Sequence, residues 1–301
     1  MKHQIKRANE FDLIARHFAP LAQNFPGALG LLDDAAIISA REGSQFVITT
    51  DTLVAGIHFR EVDNPDVVAS RLLGCNLSDL AAMGSDPFAF VLSASWPQHI
   101  AEDWIQHFAT ELGKIAQKYK IFLIGGDTVA TPGPITLSIT AFGFVPLEEA
   151  LTRRGAAPGD RLFVSGTLGD SALGLIALEN NIKFISKSDR DYLINRFQKP
   201  EPRLELGQAL RCIASATIDV SDGLMQDLGH IANASNILLE VNASKLPVSA
   251  EAKRVFLAEP NLESCALSGG DDYELAFTVP QSKLKKLKNV KTKLDVAITE
   301  I

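Results

Sequence analysis

Short apolar runs that end in acidic and hydroxyl residues recur along this chain. The clearest run, Phe46-Val47-Ile48, has the character of a buried strand and leads into Thr49-Thr50-Asp51. His58 closes the short glycine-containing loop that follows. Other acids lie beside Gly, Ser or Thr at five further places: Asp33-Asp34, Asp79, Asp127, and the segments 219–223 and 269–272. The pattern predicts a fold that brings these acidic and hydroxyl residues close together.

The spacing of apolar positions predicts interleaved strands and helices in both halves of the chain. Helices are expected at 9–18, 66–82, 101–118, 172–178, 189–197, 202–211, 224–234 and 250–257, with Asp66 as the N-cap of the second. Strands are expected at 35–39, 45–50, 88–95, 121–124, 135–145, 161–165, 216–220, 237–241 and 273–279, and two further segments, 282–288 and 295–299, finish the chain. These elements predict an α/β (α+β) fold, in which helices pack on mixed sheets. The turn-rich segment 153–160 predicts two domains, 1–148 and 149–301.

Composition narrows the class of protein. Hydrophobic residues make up 46% and charged residues 22% of the chain, which favours a packed core over disorder. The net charge of −7 argues against a nucleic-acid-binding surface. The three cysteines are far apart and form no C-x-x-C pair, so a reduced protein without disulfides or a zinc site is expected. The chain shows no signal-peptide core and no membrane-spanning run, and a cytoplasmic location is expected.

The acids favour a metal-assisted reaction on phosphates. The sequence has no G-x-x-x-x-G-K-[ST] loop and no G-x-G-x-x-G after the first strand, so any nucleotide is held in another way. Magnesium binds one or two carboxylates together with phosphate oxygens, which fits Asp34, Asp51, Asp79, Asp127, Asp219 and Asp222. Each acid alone is equally consistent with a turn or helix cap, but the repeated pattern favours the metal interpretation.

Three other positions have two interpretations each. His58 fits a contact with an anionic substrate and also a structural role in its loop. Arg153, with Arg154 beside it, faces either phosphate or solvent. Ser221 donates to a phosphate, caps the helix that follows it, or does both.

Eight motifs in order resemble the thiamine-monophosphate kinase family of the aminoimidazole-ribotide-synthetase-like superfamily. They are L-D-D-A-A (32–36), T-T-D-T-L-V-A-G-I-H-F (49–59), N-L-S-D-L-A-A-M-G (76–84), G-G-D-T (125–128), R-R-G-A-A-P-G-D (153–160), S-G-T-L-G-D-S-A-L-G-L (165–175), D-V-S-D-G-L (219–224) and S-G-G-D-D-Y-E-L (268–275). Any one motif is weak, but the ordered set is specific, and T-T-D followed by G-I-H-F points to this member of the superfamily.

The resemblance implies transfer of the ATP γ-phosphate to thiamine monophosphate, which gives thiamine diphosphate and ADP without a phosphoenzyme. It implies several Mg²⁺ ions at Asp34, Thr49, Thr50, Asp51, Asp79, Asp127, Asp219 and Asp222. It implies ATP contacts at Gly126, Asp127, Arg153 and Ser221, and substrate contacts at His58 and Asp271.

The resemblance also implies an organisation and a partner. The N-terminal domain is expected to bind ATP and magnesium and to form a homodimer through its sheet, and the C-terminal domain to complete the ATP and substrate site. No nucleic acid or membrane partner is expected. Two positions depart from the family pattern: Leu32 stands where Gly is usual before the acid pair, and Asp271 replaces a frequent Glu, which shortens the reach to the substrate.

Two other functions remain open from the residues alone. One is another ATP-dependent synthetase or a carbamoyl-dehydrating maturation protein of the same superfamily. The other is a non-catalytic metal- or nucleotide-binding module. Measuring ATP consumption with each candidate acceptor distinguishes the synthetase or maturation protein from a kinase. Binding of ATP and Mg²⁺ without phosphate transfer identifies the non-catalytic module.

Overall fold

A computed structural model of the protein describes residues 8–183 and 185–301. The chain divides into two units. The first comprises Met1–Leu80 and Pro87–Phe144, and the second comprises Ala81–Asp86 and Val145–Ile301. Each unit contains a four-stranded sheet and several helices, which confirms the predicted fold class. Among the described residues, no helix has both the length and the apolar character needed to cross a membrane.

The sheet of the first unit has the strand order β1-β4-β2-β3. Its strands are β1 (Ser44–Val54), β2 (Asp86–Pro97), β3 (Phe122–Thr131) and β4 (Thr136–Pro146). Strands β2 and β3 are parallel, and their register shifts between Phe90 and Val91. The helices are α1 (Glu10–Leu13), α2 (Ala19–Ala22), α3 (Pro65–Ala82) and α4 (Glu102–Tyr119), with a π-helical turn at Ile14–Phe18 and a 3-10 turn at Pro26–Leu31.

Strand β1 buries only one of its faces. Val47 and Leu53 are buried, whereas Phe46 and Ile48, which point the other way, are 43% and 61% exposed. Successive side chains of a strand alternate between faces, so Thr49 and Asp51 share the inner face with Val47. Thr50 lies on the outer face with Ile48. This alternation decides which polar side chains can meet α3.

The second unit is built on an antiparallel sheet with the order β6-β7-β5-β8. Its strands are β5 (Arg161–Ser165), β6 (Ala216–Val220), β7 (Glu274–Val279) and β8 (Ile298–Glu300). The helices are α5 (Asp170–Leu178), α6 (Lys187–Gln198), α7 (Leu204–Ala209), α8 (Leu224–Ser235), α9 (Ala250–Ala258), α10 (Cys265–Ser268) and α11 (Leu284–Lys291). Every residue of β6 and β7 is buried. The loop that follows β6 and the loop that precedes β7 are therefore both attached to the packed centre of this sheet.

Two predicted strands, 35–39 and 237–241, are wrong. Both segments are extended but pair with no strand ladder. Ile237, Leu239 and Val241 pack on the core while Leu238 is 93% exposed, and Ala36 and Ile38 likewise pack inward. An extended segment that packs on one side shows the same alternation as a strand, which explains both errors.

Four predicted element ends also need correction. Helix α3 begins at Pro65, so Asn64 rather than Asp66 occupies the cap position. The first helical segment continues past Phe18, because Pro20 falls in the first turn of α2, where its missing N–H is not needed. Strands β1 and β3 run on to Val54 and Thr131. Asp51 and Asp127 therefore lie within strands rather than beyond their ends.

Candidate active site

The inner face of β1 and the last turn of α3 bring three predicted metal ligands together. The Thr49 hydroxyl donates a short hydrogen bond to Asp79 Oδ2. Asp51, two residues further along the same face, is close enough to Asp79 and to the buried thiol of Cys75 for both groups to affect the pKa of its carboxyl. Two neighbouring carboxylates repel unless they share a proton or a cation. The helix dipole adds to the repulsion, because Asp79 lies at the C-terminal end of α3.

Burial raises the pKa of the Asp51 carboxyl above its usual value. Hydrogen bonds with Cys75 and Asp79, and the charge of His58, act in the opposite direction. The half-buried carboxyl therefore binds a proton more readily than an exposed aspartate does. A divalent cation bound here would replace that proton and compensate the same loss of hydration.

The hydroxyl of Thr50 does not join this cluster. It lies on the outer face of β1, where it donates to Ile139 O at 3.0 Å and accepts from the Thr140 hydroxyl at 3.1 Å. The side chain is thus committed to the neighbouring strand β4. Any role in metal binding falls to the main-chain carbonyl of this edge strand.

His58 is exposed and is oriented by the main chain. The Val54 N–H donates to His58 Nδ1 at 3.1 Å, so Nδ1 accepts and the proton of the neutral ring lies on Nε2. Arg71, which is 4% exposed, donates from Nη2 to the His58 carbonyl at 3.3 Å. A bond from Gly56 N–H to Phe59 O at 2.7 Å closes the loop. The ring is therefore held with a donor nitrogen available to an anion.

A cavity of about 310 Å³ joins the acid pair at 33–34 to the glycine-rich segment 125–128. Its wall is apolar at Phe18, Leu31 and Ile124, and the carboxylates of Asp34 and Asp127 are exposed at its lining. Asp127 Oδ1 accepts the Thr128 N–H at 2.8 Å. The lining thus combines an apolar wall with two acids.

Gly126 is required by the backbone of this cavity. Its φ is +151°, and a Cβ at this position would lie 1.9 Å from Leu92 O on the paired strand. Any side chain would therefore push the two strands apart. The main chain next to Asp127 can be approached closely as a result.

In the second unit, the loop that follows β6 is folded around Asp227. Asp227 Oδ2 accepts the N–H groups of Ser221, Asp222 and Gly223 at 3.0, 3.1 and 3.1 Å. Asp219 is buried at the end of β6, whereas the Asp222 side chain is exposed. Sequence reasoning missed Asp227, although an acid four residues after a Gly that precedes a helix is a usable signal for a cap of this kind.

Asp222, Asp227 and His230 also form a group of potential metal ligands. One ligand atom from each lies within 4.8 Å of the others. Burial raises the pKa of Asp227, and its bonds with the Asp222, Ser221 and Gly223 N–H groups lower it. Its Oδ2 atom is already occupied by these three donors, so Asp222 is the more accessible ligand.

Asp271 lies on the loop before β7 and contacts the loop after β6 through the main chain. Its N–H donates to Ser221 O at 2.8 Å. The loop is anchored by Asp272, which is 3% exposed and accepts the N–H groups of Gly169 and Ser171 at 2.6 and 3.1 Å. Burial raises the pKa of Asp272 to about 8. Predicted ATP and substrate residues, Ser221 and Asp271, are thus joined by one hydrogen bond.

A buried ion-pair network lies beside this anchor. Glu274, which is fully buried, accepts hydrogen bonds from Arg196, Arg203 and Ser165 at 3.0, 2.7 and 2.6 Å. Its charge is therefore compensated at both oxygens. Both acids lie in the S-G-G-D-D-Y-E-L motif, but the sequence pattern assigned no structural role to either, because nothing local distinguishes a buried structural acid from a ligand.

Arg153 is held by its main chain and exposes its side chain. The Ser235 hydroxyl donates to Arg153 O at 3.2 Å and accepts the Gly155 and Ala156 N–H groups at 3.1 and 3.2 Å. The guanidinium-bearing side chain is exposed in the second unit. This arrangement fits a phosphate contact and provides a fixed base for it.

Comparison with known proteins identifies the class. Residues 32–145 match the family model of the AIR synthase related protein, N-terminal domain. Thiamine-monophosphate kinase of Escherichia coli strain K12 is 45% identical over 273 residues, which cover 90% of this chain and 83% of the relative. Among solved structures, the thiamine-monophosphate kinase of Stenotrophomonas maltophilia K279a has a TM-score of 0.83 and 41% identity, covering 90% of this chain and 86% of that one.

A second solved structure carries ligands in its description. It is AaThiL complexed with AMPPCP and TMP, with a TM-score of 0.78 and 31% identity, and the match covers 91% of this chain and 89% of that one. Residues 32–145 are thus similar to the N-terminal domain of AIR synthase related proteins. At this identity and coverage, the chain belongs to the thiamine-monophosphate kinase family, which confirms the predicted resemblance.

The raised pKa of Asp272 predicts a pH-dependent stability. The folded state binds this proton more tightly than the unfolded chain, whose value is near 3.8, so the contribution is lost as pH rises through about 8. We expect the free energy of unfolding of the wild type to fall between about pH 4 and about pH 8 more steeply than that of Asp272→Asn. Denaturant titrations across this range measure both slopes.

The matched control is Asp191→Asn, an exposed acid on α6. This variant should follow the wild-type slope. Equal slopes for Asp272→Asn and the wild type would contradict a protonated, buried Asp272.

Proposed function

We propose that this protein phosphorylates thiamine monophosphate with ATP and produces thiamine diphosphate and ADP. The observation that carries the proposal is the 45% identity to a thiamine-monophosphate kinase over 90% of the chain. The related AaThiL structure with AMPPCP, an ATP analogue, and TMP supports the same pair of substrates. The acid clusters described above supply chemistry that suits two phosphate reactants.

The reaction needs alignment and charge compensation more than a strong base. An oxygen of the acceptor phosphate forms a bond to the γ-phosphorus of ATP as the bond to the β,γ-bridging oxygen breaks and ADP leaves. The attacking oxygen already carries negative charge, so no side chain has to remove a proton. The barrier lies in the mutual repulsion of two anions, which positive groups at the site reduce.

The donor set of the first unit fits magnesium. Asp51 and Asp79 offer hard oxygen ligands at a separation that is repulsive without a cation, and Thr49 adds a hydroxyl. We assign the predicted metal ligands accordingly: Asp34, Thr49, Asp51, Asp79, Asp127, Asp219 and Asp222 through side chains, and Thr50 through its carbonyl. When bound, Mg²⁺ neutralises phosphate charge and polarises the transferring group.

We assign the nucleotide to Gly126, Asp127, Arg153 and Ser221. The required glycine at 126 lets a phosphate approach the main chain, and the apolar cavity beside Asp127 has room for part of the nucleotide. Arg153 and Ser221 lie in the second unit, where Arg153 offers a cation and Ser221 a hydroxyl. Guanidinium groups bind phosphate in a forked geometry.

We assign the acceptor to His58 and Asp271. The fixed Nε2–H of His58 is a donor for the acceptor phosphate, because Nδ1 is engaged by Val54. The carboxylate of Asp271 suits the cationic thiazolium ring and the amino group of thiamine monophosphate. In this assignment residues 1–148 supply most metal ligands and His58, and residues 149–301 supply Arg153 and Asp271.

The outer face of β1 supports a homodimer. Phe46 and Ile48 are exposed on this face, which leaves large apolar side chains on the surface of the sheet. A second copy of the chain would cover them, as the family resemblance implies. Exposed apolar patches on a sheet are typical of such interfaces. The three cysteines are all free, which supports a cytoplasmic location.

The dimer proposal predicts a change of mass for Ile48→Lys. A charge in the middle of the outer face would be buried in the dimer, so we expect dissociation into monomers. Light scattering and sedimentation measure the mass, with circular dichroism to verify folding. The control Leu257→Lys, on the exposed side of α9, should leave the dimer intact. A wild-type monomer, or an undiminished dimer in Ile48→Lys, would contradict this interface.

The reaction itself is tested with purified protein, ATP, Mg²⁺ and thiamine monophosphate. We expect thiamine diphosphate and ADP to appear in equal amounts by chromatography. ADP with inorganic phosphate, but without thiamine diphosphate, would indicate a different acceptor. Binding of ATP and Mg²⁺ without any turnover would contradict the proposed activity.

Asp51→Asn tests the metal assignment. We expect kcat/KM for thiamine monophosphate to fall by at least about a hundredfold, because a neutral amide compensates a cation poorly. The unfolding midpoint should be preserved, since burial already favours the neutral form of this group. The control Asp103→Asn, in the first turn of α4, should retain activity. Near-normal turnover of Asp51→Asn would remove Asp51 from the metal site.

A further inference from the structure

The loop before β7 carries an unusual backbone at the predicted substrate residue. Asp271 and Tyr273 both have left-handed conformations, with φ of +66° and +53°. This conformation is uncommon for residues with a Cβ, and for a bulky aromatic residue it costs free energy that the surrounding structure has to supply. The two residues flank Asp272, so the strain lies at the two positions on either side of it.

Main-chain hydrogen bonds hold this conformation against the end of β6. The Asp271 N–H donates to Ser221 O, and the Tyr273 N–H donates to Val220 O, both at 2.8 Å. Gly270 lies so close that a Cβ there would be 2.5 Å from Ser221 O. The loop is therefore pressed onto the segment that carries the predicted nucleotide residue Ser221.

Asp272 fixes the same loop from the other side. Its two carboxylate oxygens accept the N–H groups of Gly169 and Ser171 at the start of α5. The Asp272 side chain is buried. The left-handed backbone at Asp271 and Tyr273 changes the directions of these two neighbouring side chains. A regular strand at this position would place all three side chains differently.

The turned backbone brings the Tyr273 hydroxyl to Asp271. Tyr273 Oη donates to Asp271 Oδ1 at 2.9 Å, and the tyrosine is only 7% exposed. A hydrogen bond from a packed ring fixes the direction of the carboxylate. This contact spans two residues and is made possible by the strain of the loop.

We propose that Tyr273 is a positioning residue that orients the Asp271 carboxylate toward the acceptor substrate. The inference rests on the proposed function, in which Asp271 contacts the cationic acceptor. The strained backbone makes possible the hydrogen bond between Tyr273 and Asp271, and this bond holds the short aspartate side chain in one orientation. Tyr273 acts through Asp271, so its removal affects recognition of the acceptor and leaves ATP binding unchanged.

Tyr273→Phe removes the hydroxyl and retains the ring. We expect KM for thiamine monophosphate to rise about ten- to a hundredfold, as for loss of a hydrogen bond to a charged group. KM for ATP and the unfolding midpoint should stay within experimental error of the wild type. Tyr119→Phe, which removes a hydroxyl at the end of α4, is the matched control and should match the wild type.

A double-mutant cycle separates positioning from a general structural role. Asp271→Gly removes the carboxylate and accepts the left-handed backbone without strain. In that background, Tyr273→Phe should raise the acceptor KM no further, because its partner is absent.

Two results would overturn the inference. One is an unchanged acceptor KM in Tyr273→Phe. The other is an effect of the same size in the wild-type and Asp271→Gly backgrounds. Both presuppose a wild type that forms thiamine diphosphate, and a wild type that does not would refute the proposed function instead.

Discussion

The crowding of carboxylates is the constraint on which this structure depends. Asp51 and Asp79 lie close enough to hydrogen-bond, at the end of a helix whose dipole disfavours negative charge. Such a pair is stable only with a shared proton or a cation. Burial raises the pKa of Asp51, which favours the first solution, and binding of Mg²⁺ with phosphates would provide the second. A site that repels its own charges in the absence of ligand is well suited to gather cations around anionic substrates.

Main-chain hydrogen bonds fix the loops that carry the predicted ligands within each unit. The Asp227 carboxylate accepts hydrogen bonds from three N–H groups after β6, and the Asp272 carboxylate accepts two at the start of α5. His58 is fixed in the same manner by the Val54 N–H. Each brace holds a loop that carries a predicted ligand, so the ligands need little reorganisation on binding. Preorganised groups of this kind account for much of the catalysis of phosphate transfer.

Apolar spacing predicted several elements close to their observed positions. Helices α3 and α4 and the antiparallel strands β5 and β6 lie where the spacing places them, although α4 is one-sided and β6 is buried throughout. The meeting of Thr49, Asp51 and Asp79 was also anticipated, although their ligand roles remain predictions. Segments 35–39 and 237–241 show why the pattern has a limit, since extended chain packed on one face alternates as a strand does.

The contacts of Asp272 were beyond the reach of sequence reasoning. Asp272 and Gly169 are 103 positions apart, and only the folded chain brings them together. The hydrogen bond of the Thr50 hydroxyl to Ile139 O likewise depends on how β1 pairs with β4, which the residues near Thr50 do not reveal. Distant contacts therefore determine how each predicted ligand is presented, whereas local pattern determines which residues are candidates.

Anomalous diffraction from crystals grown with Mn²⁺, AMPPCP and thiamine monophosphate tests the central claim most directly. Manganese substitutes for magnesium at oxygen ligands and gives an element-specific signal. The account predicts an anomalous peak within about 2.0–2.3 Å of oxygens from both Asp51 and Asp79. Ordered nucleotide and acceptor without a peak beside these two carboxylates would contradict it.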